Sequence, residues 1–363
     1  MKNNQAIPFN KENFQQILSK EFAIVVLVSV PAALVAEYFN VPLAWFLGPM
    51  IITSILSLTG VKTKMPKLIL SIILILLGLY IGNYIDKSLF SQIHQWAWTS
   101  LIMLIYIIIS VLLVSKYLQK FSNYEKKTSI FSAAPGALGP LLILAENEKS
   151  DLSHVATSHL IRLIIIITIF PFIVNSFYDV PSFEVLKATI ENQKISNLII
   201  LTIVSVIFIM IFDKFRIPAA LLSGTLVASG LLQIFEVASY KLSPNIIDYC
   251  LLILGSSVGC RFADKTFSEI AKNALHSFVA TFFLVLLGLV AAIIAGYFVD
   301  KNFFTLLLSY CPGGIYEVAV IAIFFNLDPE FVTFHHIIRL LMILFIVPLI
   351  LKLILKKSSS NSK

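Results

Sequence analysis

Ser309-Tyr310-Cys311-Pro312-Gly313-Gly314-Ile315-Tyr316-Glu317 interrupts an apolar run of the sequence, and Ser132-Ala133-Ala134-Pro135-Gly136-Ala137-Leu138-Gly139-Pro140 interrupts another at a matching place, 177 positions earlier (312 less 135). Proline lacks an amide hydrogen and clashes with the preceding turn, while glycine takes backbone angles that other residues resist, so a Pro-Gly pair ends a helix. In an apolar setting the freed backbone groups are tolerated only where protein or a water-filled cavity satisfies them. The half-helix after such a break presents amide hydrogens and the positive end of its dipole to the gap, which suits a carboxylate, a phosphate or another anion. The plainer alternative is a proline kink without a ligand.

The correspondence extends along most of the chain. Glu37-Tyr38-Phe39-Asn40-Val41-Pro42 pairs with Asp213-Lys214-Phe215-Arg216-Ile217-Pro218, and Gly48 with Gly224; after one inserted residue, Gly78 and Gly82 pair with Gly255 and Gly259. Beyond the breaks, Ala145, Asp151, Val155, His159, Arg162 and Pro171 pair with Ala322, Asp328, Val332, His336, Arg339 and Pro348. So many special residues in one register mark an internal duplication, with membrane repeat 1 at 22–177 and membrane repeat 2 at 198–355.

Composition says where such a unit resides. Of 363 residues 58% are hydrophobic and 13% charged, with a mean hydropathy of +0.91, whereas soluble domains are about half apolar and about a quarter charged. Apolar runs of about 20 residues, the length a helix needs to cross a bilayer, recur near 22–39, 43–60, 67–85, 97–117, 153–177, 196–213, 218–236, 246–262, 274–298 and 331–355. The expected fold is an all-α polytopic membrane protein of 10–12 membrane segments, each repeat having five spanning helices plus one Pro-Gly-broken or re-entrant helix (128–147 and 303–325). Residues 1–21 read as a polar, interfacial N-terminus, either frayed or lying along the membrane through Ile7, Phe9, Phe14, Ile17 and Leu18. Residues 178–197 read as a connecting loop and 356–363 as a disordered tail. The net charge of +7 resides in short loops rather than in a basic domain, so no nucleic-acid partner is expected. Cys250, Cys260 and Cys311 fall in apolar segments without metal-ligand spacing and read as buried thiols.

Charge also bears on how the repeats are oriented. Lys62, Lys64 and Lys67 follow the second apolar run, while the equivalent loop of the second half has only Lys241; Lys87 alone follows the third run, while its equivalent has Arg261, Lys265 and Lys272. A bias that flips between equivalent loops is what the positive-inside rule demands of inverted copies, a recurrent plan of secondary transporters. Two inverted repeats in the cytoplasmic membrane, with both termini inside, are therefore expected over a parallel pair.

The residues that could carry chemistry gather after the breaks. His159 and Arg162 share one helix face, as do His336 and Arg339, with His335 on a similar face. An arginine this deep in an apolar run is a functional hypothesis; it either faces a cavity or bonds the carbonyls freed by the break. Glu317 has no acidic counterpart, Pro140 standing in its place. A proton, a cation or Arg339 could occupy it, and the Arg339 pair is expected as the cheaper way to bury both charges. The expected substrate-binding set is Pro135, Gly136, Arg162, Pro312, Gly313, Gly314, Glu317 and Arg339. Glu317, His159, His335 and His336 are the candidates for proton coupling. No catalytic residue, metal ligand or cofactor is indicated.

At these blocks the sequence resembles the membrane AbrB family, also called the AbrB duplication family. Its pattern is a Pro-Gly-Gly followed by a Glu, a small-residue helix, a Gly/Asp loop, and a helix with His-x-x-Arg. The second half fits with Pro312-Gly313-Gly314, Glu317, Ala322, Asp328, Val332, His336 and Arg339; the first half departs at Ala137 and Pro140. The resemblance covers about residues 20–355 and implies either a regulator of gene expression or the ammonia monooxygenase label that some members carry. Scattered histidines without a ligand-spaced cluster fit a monooxygenase poorly, so the chain is not expected to be an enzyme. The expected function is ion-coupled secondary transport of a small anionic or zwitterionic solute, with the bilayer and a homo-oligomer as partners. The alternative is a membrane sensor or regulator acting on expression indirectly.

Overall fold

The computed structural model describes residues 11–85, 87, 89–177, 195–240 and 242–360. They form helices and no strands: α1 (Lys11–Ile17), α2 (Lys20–Tyr38), α3 (Ala44–Leu58), α4 (Lys67–Gly82), α5 (Leu89–Phe121), α6 (Lys126–Ala133), α7 (Leu138–Asn147) and α8 (Leu152–Phe177). Then come α9 (Ile195–Lys214), α10 (Ala220–Ile234), α11 (Pro244–Cys260), α12 (Phe267–Ala295), α13 (Phe303–Tyr310), α14 (Ile315–Phe324) and α15 (Pro329–Ser360).

Six of these, within α2, α5, α8, α9, α12 and α15, are long and apolar enough to cross a membrane. The sequence led us to expect ten such spans. The difference lies in α3, α4, α10 and α11, which have 15, 16, 15 and 17 residues. At about 1.5 Å per residue these reach roughly 22–26 Å, short of a hydrocarbon core of about 30 Å. Left-handed residues trim α3 and α10 at corresponding points: Asn40 and Leu43 precede α3 as Arg216 and Ala219 precede α10, and Gly60 ends the first as Glu236 ends the second. One further expectation is corrected at an edge. Helix α15 continues to Ser360 where a disordered tail was expected, the backbone ladder simply running on through Lys356 and Lys357. Phe14 and Leu18 are exposed beside the short α1, while Ile7 and Phe9 lie outside the described residues.

The chain divides into two compact units, and neither is one half of the sequence. The first comprises residues 1–91, 168–267 and 316–330; the second comprises 92–167, 268–315 and 331–363. In the first unit α3 packs on α11 and α4 on α10, with α2 against α3 and α9 against α10. Small residues allow the close approach. A Cβ at Gly255 would collide with the Phe46 carbonyl and one at Gly259 with Thr53, just as Cβ atoms at Gly78 and Gly82 would strike Thr225 and Ser229. Without a hydrophobic force between helices in lipid, such close packing supplies the cohesion. Ser29 and Ser256 add a buried hydroxyl pair at 2.8 Å. The second unit holds α6, α7 and α13 and most of α5, α8, α12 and α15. Its core includes Val114, Leu118, Tyr124, Ala133, Ala280 and Leu284.

Candidate functional site

Both Pro-Gly stretches break their helices in the same way. Helix α6 ends at Ala133 and α13 at Tyr310, and the capping residues Ala134 and Cys311 turn extended, with ψ of 131° and 130°. Each proline then sits at the centre of a tight turn: the Gly136 amide donates to the Ala134 carbonyl at 2.9 Å and the Gly313 amide to the Cys311 carbonyl at 2.8 Å. An i→i+2 bond around a proline is an inverse γ-turn, which the ring's fixed φ favours. After the first turn the backbone passes through Gly136 at φ 120° and Ala137 at φ 63° before α7 starts.

A broken helix leaves its last carbonyls without partners. Here a His and an Arg from the following long helix supply them. In the first half, within the second unit, His159 Nε2 donates to Phe131 O at 3.0 Å, and Arg162 donates to Ser132 O and Ala134 O, both at 2.5 Å. In the second half, also within the second unit, His336 Nε2 donates to Leu308 O at 3.0 Å. Arg339 donates to Cys311 O, and to Gly313 O at 2.6 Å. A cation at a helix C-terminus also meets the negative end of the dipole, about half an elementary charge. The geometry thus gives both arginines the carbonyl-bonding role that the sequence left as one of two alternatives.

The capping does not use the guanidiniums up. Arg162 is 2% exposed and Arg339 0%. Among the described residues neither has a carboxylate within ion-pair distance, and the Nε of each is buried without a hydrogen-bond partner. Arg339 also reaches the other break. A Cβ added to Gly136 would lie 3.2 Å from Arg339 Nη2 and 3.5 Å from its Nε, so Gly136 is the residue that lets this guanidinium in. Tyr106 lies within electrostatic reach of both arginines. The arrangement sets two positive charges in a buried interior, with donors to spare, where a negatively charged group would be strongly held.

The histidines are constrained by their partners. His336 Nδ1 lies 2.9 Å from Arg339 Nη2. A guanidinium only donates, so this nitrogen accepts and the proton sits on Nε2. His335 points elsewhere: Nδ1 donates to Phe331 O at 2.9 Å and Nε2 meets Thr99 Oγ1 at 2.7 Å, among Trp96, Phe331 and Phe334. That satisfied, aromatic enclosure fits a packing role better than a proton relay.

Glu317 requires a correction. Its expected partner was Arg339, but in the first unit Arg261 Nη2 lies 2.7 Å from Oε1 of this carboxylate, itself 1% exposed. The oxygen has no aligned hydrogen bond, so charge rather than direction holds the pair. The reason lies in where each residue stands. Glu317 is in the first turn of α14 and Arg261 caps the C-terminus of α11, so each charge complements its own helix dipole as well as its partner.

A family model described as "Transition state regulatory protein AbrB" matches residues 2–87 and 45–355, so that residues 45–87 are matched twice. The chain belongs to the AbrB family. Its similarity to a Bacillus subtilis (strain 168) protein named "Uncharacterized protein YhjN" is 20% identity over 89% of this chain and 90% of that protein. To an Escherichia coli (strain K12) protein named "Putative regulator AbrB" it is 23% identity over 87% of this chain and 91% of that protein. No solved structure matches.

Within this AbrB-family chain, the structure brings Pro135, Gly136, Arg162, Pro312, Gly313 and Arg339 together in one unit, and places Glu317 in the other. Among the described residues no three His, Cys, Asp or Glu side chains gather as a metal-binding group. Cys250 and Cys311 are buried and Cys260 half-buried, all as free thiols. Sequence reasoning missed Arg261, Tyr106 and Thr99. Arg261 carried a signal: it aligns with Tyr84 as Glu317 aligns with Pro140 (offset 177 in both), so the two positions lose their match together.

Proposed function

We propose that this AbrB-family protein is an ion-coupled secondary transporter of a small anionic or zwitterionic metabolite, made of two inverted copies in the cytoplasmic membrane with both termini inside. One observation carries the reading: two buried guanidiniums at two helix breaks in one unit, with no carboxylate partner among the described residues. The two helix C-termini offset about half a charge each, leaving an excess of about one positive charge in low dielectric. A structural cap would need no such excess; a passing anion would. Broken helices facing a buried site are also the way transporters expose backbone at membrane depth.

The duplication is supported by several matches, and its inversion by the loop charges that flip between the copies. Helices α2 to α8 begin 175–178 residues before α9 to α15 (20 against 195, 89 against 267). The left-handed residues Asn40, Leu43 and Lys149 recur as Arg216, Ala219 and Asn326. The pairings of α3 with α11 and α4 with α10 exchange equivalent helices, as a pseudo-two-fold axis would. Glu317 remains the candidate for coupling, now through Arg261: protonating the carboxylate would release that arginine. His159 and His336 then act as fixed supports of the breaks. The protein is read as no enzyme, and as a possible homo-oligomer. A sensor is the second reading, favoured by the regulator wording of the family description and of the Escherichia coli relative's name.

A thermal-shift screen of small carboxylates, phosphates and amino acids on purified protein, repeated on Arg162→Lys, tests the site. At least one anion should raise the midpoint in the wild type and do so much less in the variant, since lysine lacks the planar fork. Binding confined to cations or neutral solutes would overturn the reading.

A further inference from the structure

A cavity of about 370 Å³ opens in the second unit between α6, α7 and α15, apart from the breaks themselves. Its floor is apolar, from Phe131, Leu144, Pro348 and Leu351, and its rim carries Asn147, Glu148 and Lys352. The charges at the rim are unequal in effect. Glu148 is already taken: Lys127 Nζ lies 2.9 Å from its carboxylate and 3.0 Å from its carbonyl oxygen, at the C-terminus of α7. Lys352 is exposed and has no ion-pair partner among the described residues. The mouth therefore offers one unanswered ammonium above an apolar floor.

The inner end is what ties this cavity to the site. Phe131, 1% exposed, closes it. The carbonyl of Phe131 is held by His159 and the next carbonyl, that of Ser132, by Arg162 at 2.5 Å. The guanidinium bonded to that next carbonyl has an unpartnered Nε. An apolar chamber thus has a cation at its mouth, and the backbone of its Phe131 wall is bonded to the side chains that hold the first break. The volume falls at the small end of ligand cavities, about 300–1,000 Å³.

We propose that this cavity is the entry chamber for the solute, and that the solute class is a monoanion with an apolar body, such as an aromatic or branched monocarboxylate. This rests on the anion reading of the breaks and narrows it. Lys352 draws the anion in, the floor takes the apolar body, and Phe131 turns aside to pass the carboxylate to Arg162. A polyanion would have to bury a second charge against Phe131, Leu144 and Pro348, which offer it no donor.

The test uses purified full-length protein in detergent with three probes: benzoate, acetate and succinate. Benzoate should half-saturate the thermal shift at a concentration on the order of tenfold below acetate, in line with the discrimination that apolar pockets achieve, and succinate should bind worst. Leu144→Trp, which fills the chamber, should bring benzoate to the level of acetate. Leu144→Phe, a milder filling, should reduce the preference should the Trp variant fail to fold. Lys352→Gln should weaken benzoate several-fold at low salt and little at high salt. Equal binding of benzoate and acetate, a preference for succinate, or a preference unmoved by filling overturns the chamber while leaving the anion reading standing; an acyl chain of lipid or detergent seated there would give this result. Failure of benzoate to bind would overturn the chamber; the anion reading itself falls only if the phosphates and amino acids of the wider screen fail to bind as well.

Discussion

The two helix breaks share a backbone and differ in chemistry. Both end a short helix with an extended cap and a proline-centred turn, and both have their freed carbonyls bonded by a His-x-x-Arg from the next long helix. In the second half, Glu317 occupies the first turn of α14 and is held by Arg261, and most of α14 is buried. The first has Pro140 in that place. Gly139 and Pro140 are exposed, a Cβ at Gly139 would meet nothing within 4 Å, and Arg339 lies against Gly136. The contrast teaches that two breaks can share one mode of backbone support while the residues that follow them differ. Both arginines lack a carboxylate partner among the described residues; what differs is the position after the break, a paired Glu317 in one half and an exposed Pro140 in the other.

The largest expected effect comes from removing the shared support. Each buried carbonyl left without a donor costs about 1–3 kcal/mol. Arg162→Leu leaves the Ser132 carbonyl without its donor, while the Ala134 carbonyl keeps the Gly136 amide, and should cost about 1–3 kcal/mol. Arg339→Leu should cost more, since it also strips the acceptor Nδ1 of His336. Unfolding midpoints in detergent would show the order, and equal losses would mean that the breaks are supported alike.

A second contrast is the ion pair at Glu317, in the second half. Arg261→Gln leaves the buried Glu317 alone and should cost up to about 3–5 kcal/mol, less to the extent that water reaches this part-exposed arginine. Pro140→Ala, at the equivalent place, should be near neutral. A double-mutant cycle of Arg261→Gln with Glu317→Gln should recover part of the loss; strict additivity would deny the pair.

Packing provides a third contrast. Gly78→Ala and Gly259→Ala drive a methyl into Thr225 and Thr53 and should each cost about 1–3 kcal/mol. Gly139→Ala enters open space on a helix and should stabilise by up to about 1 kcal/mol. A destabilising Gly139→Ala would mean that something fills the gap at the first break.

The smallest effect concerns the start of α8. Asp151 accepts from the His154 amide at 3.0 Å as an N-cap, so Asp151→Ala should cost about 1 kcal/mol. Burial pushes this carboxyl up, but the amide and imidazole of His154 outweigh it and hold it below the ordinary range. A carboxyl lowered by folding stabilises above its unfolded pKa and loses that contribution as pH falls through the folded one. The difference between wild type and variant should therefore vanish in acid.

The sequence made the breaks legible because Pro-Gly acts locally, and the matched register made the helices following them legible too. The capping of carbonyls by Arg162 and Arg339 was readable as one of two alternatives, since a fixed spacing cannot say whether a side chain bonds its own break or faces a cavity. The Glu317 partner was not readable from one position, because Arg261 comes from a helix 56 residues away (317 less 261) and only tertiary packing joins them. The halves' joint departure at Tyr84/Arg261 and Pro140/Glu317 held that information. Nor could composition tell how short α3 and α10 are, since left-handed residues at Leu43 and Ala219 set their starts.

The most direct test of the central claim is anion uptake into proteoliposomes, using the tightest-binding anion and comparing wild type with Pro140→Glu, which gives the first break the carboxylate that the second one has. The account predicts uptake by the wild type that responds to an imposed ion gradient, and its loss in a variant that still folds. Binding without uptake in the wild type, or equal uptake by both proteins, would contradict it.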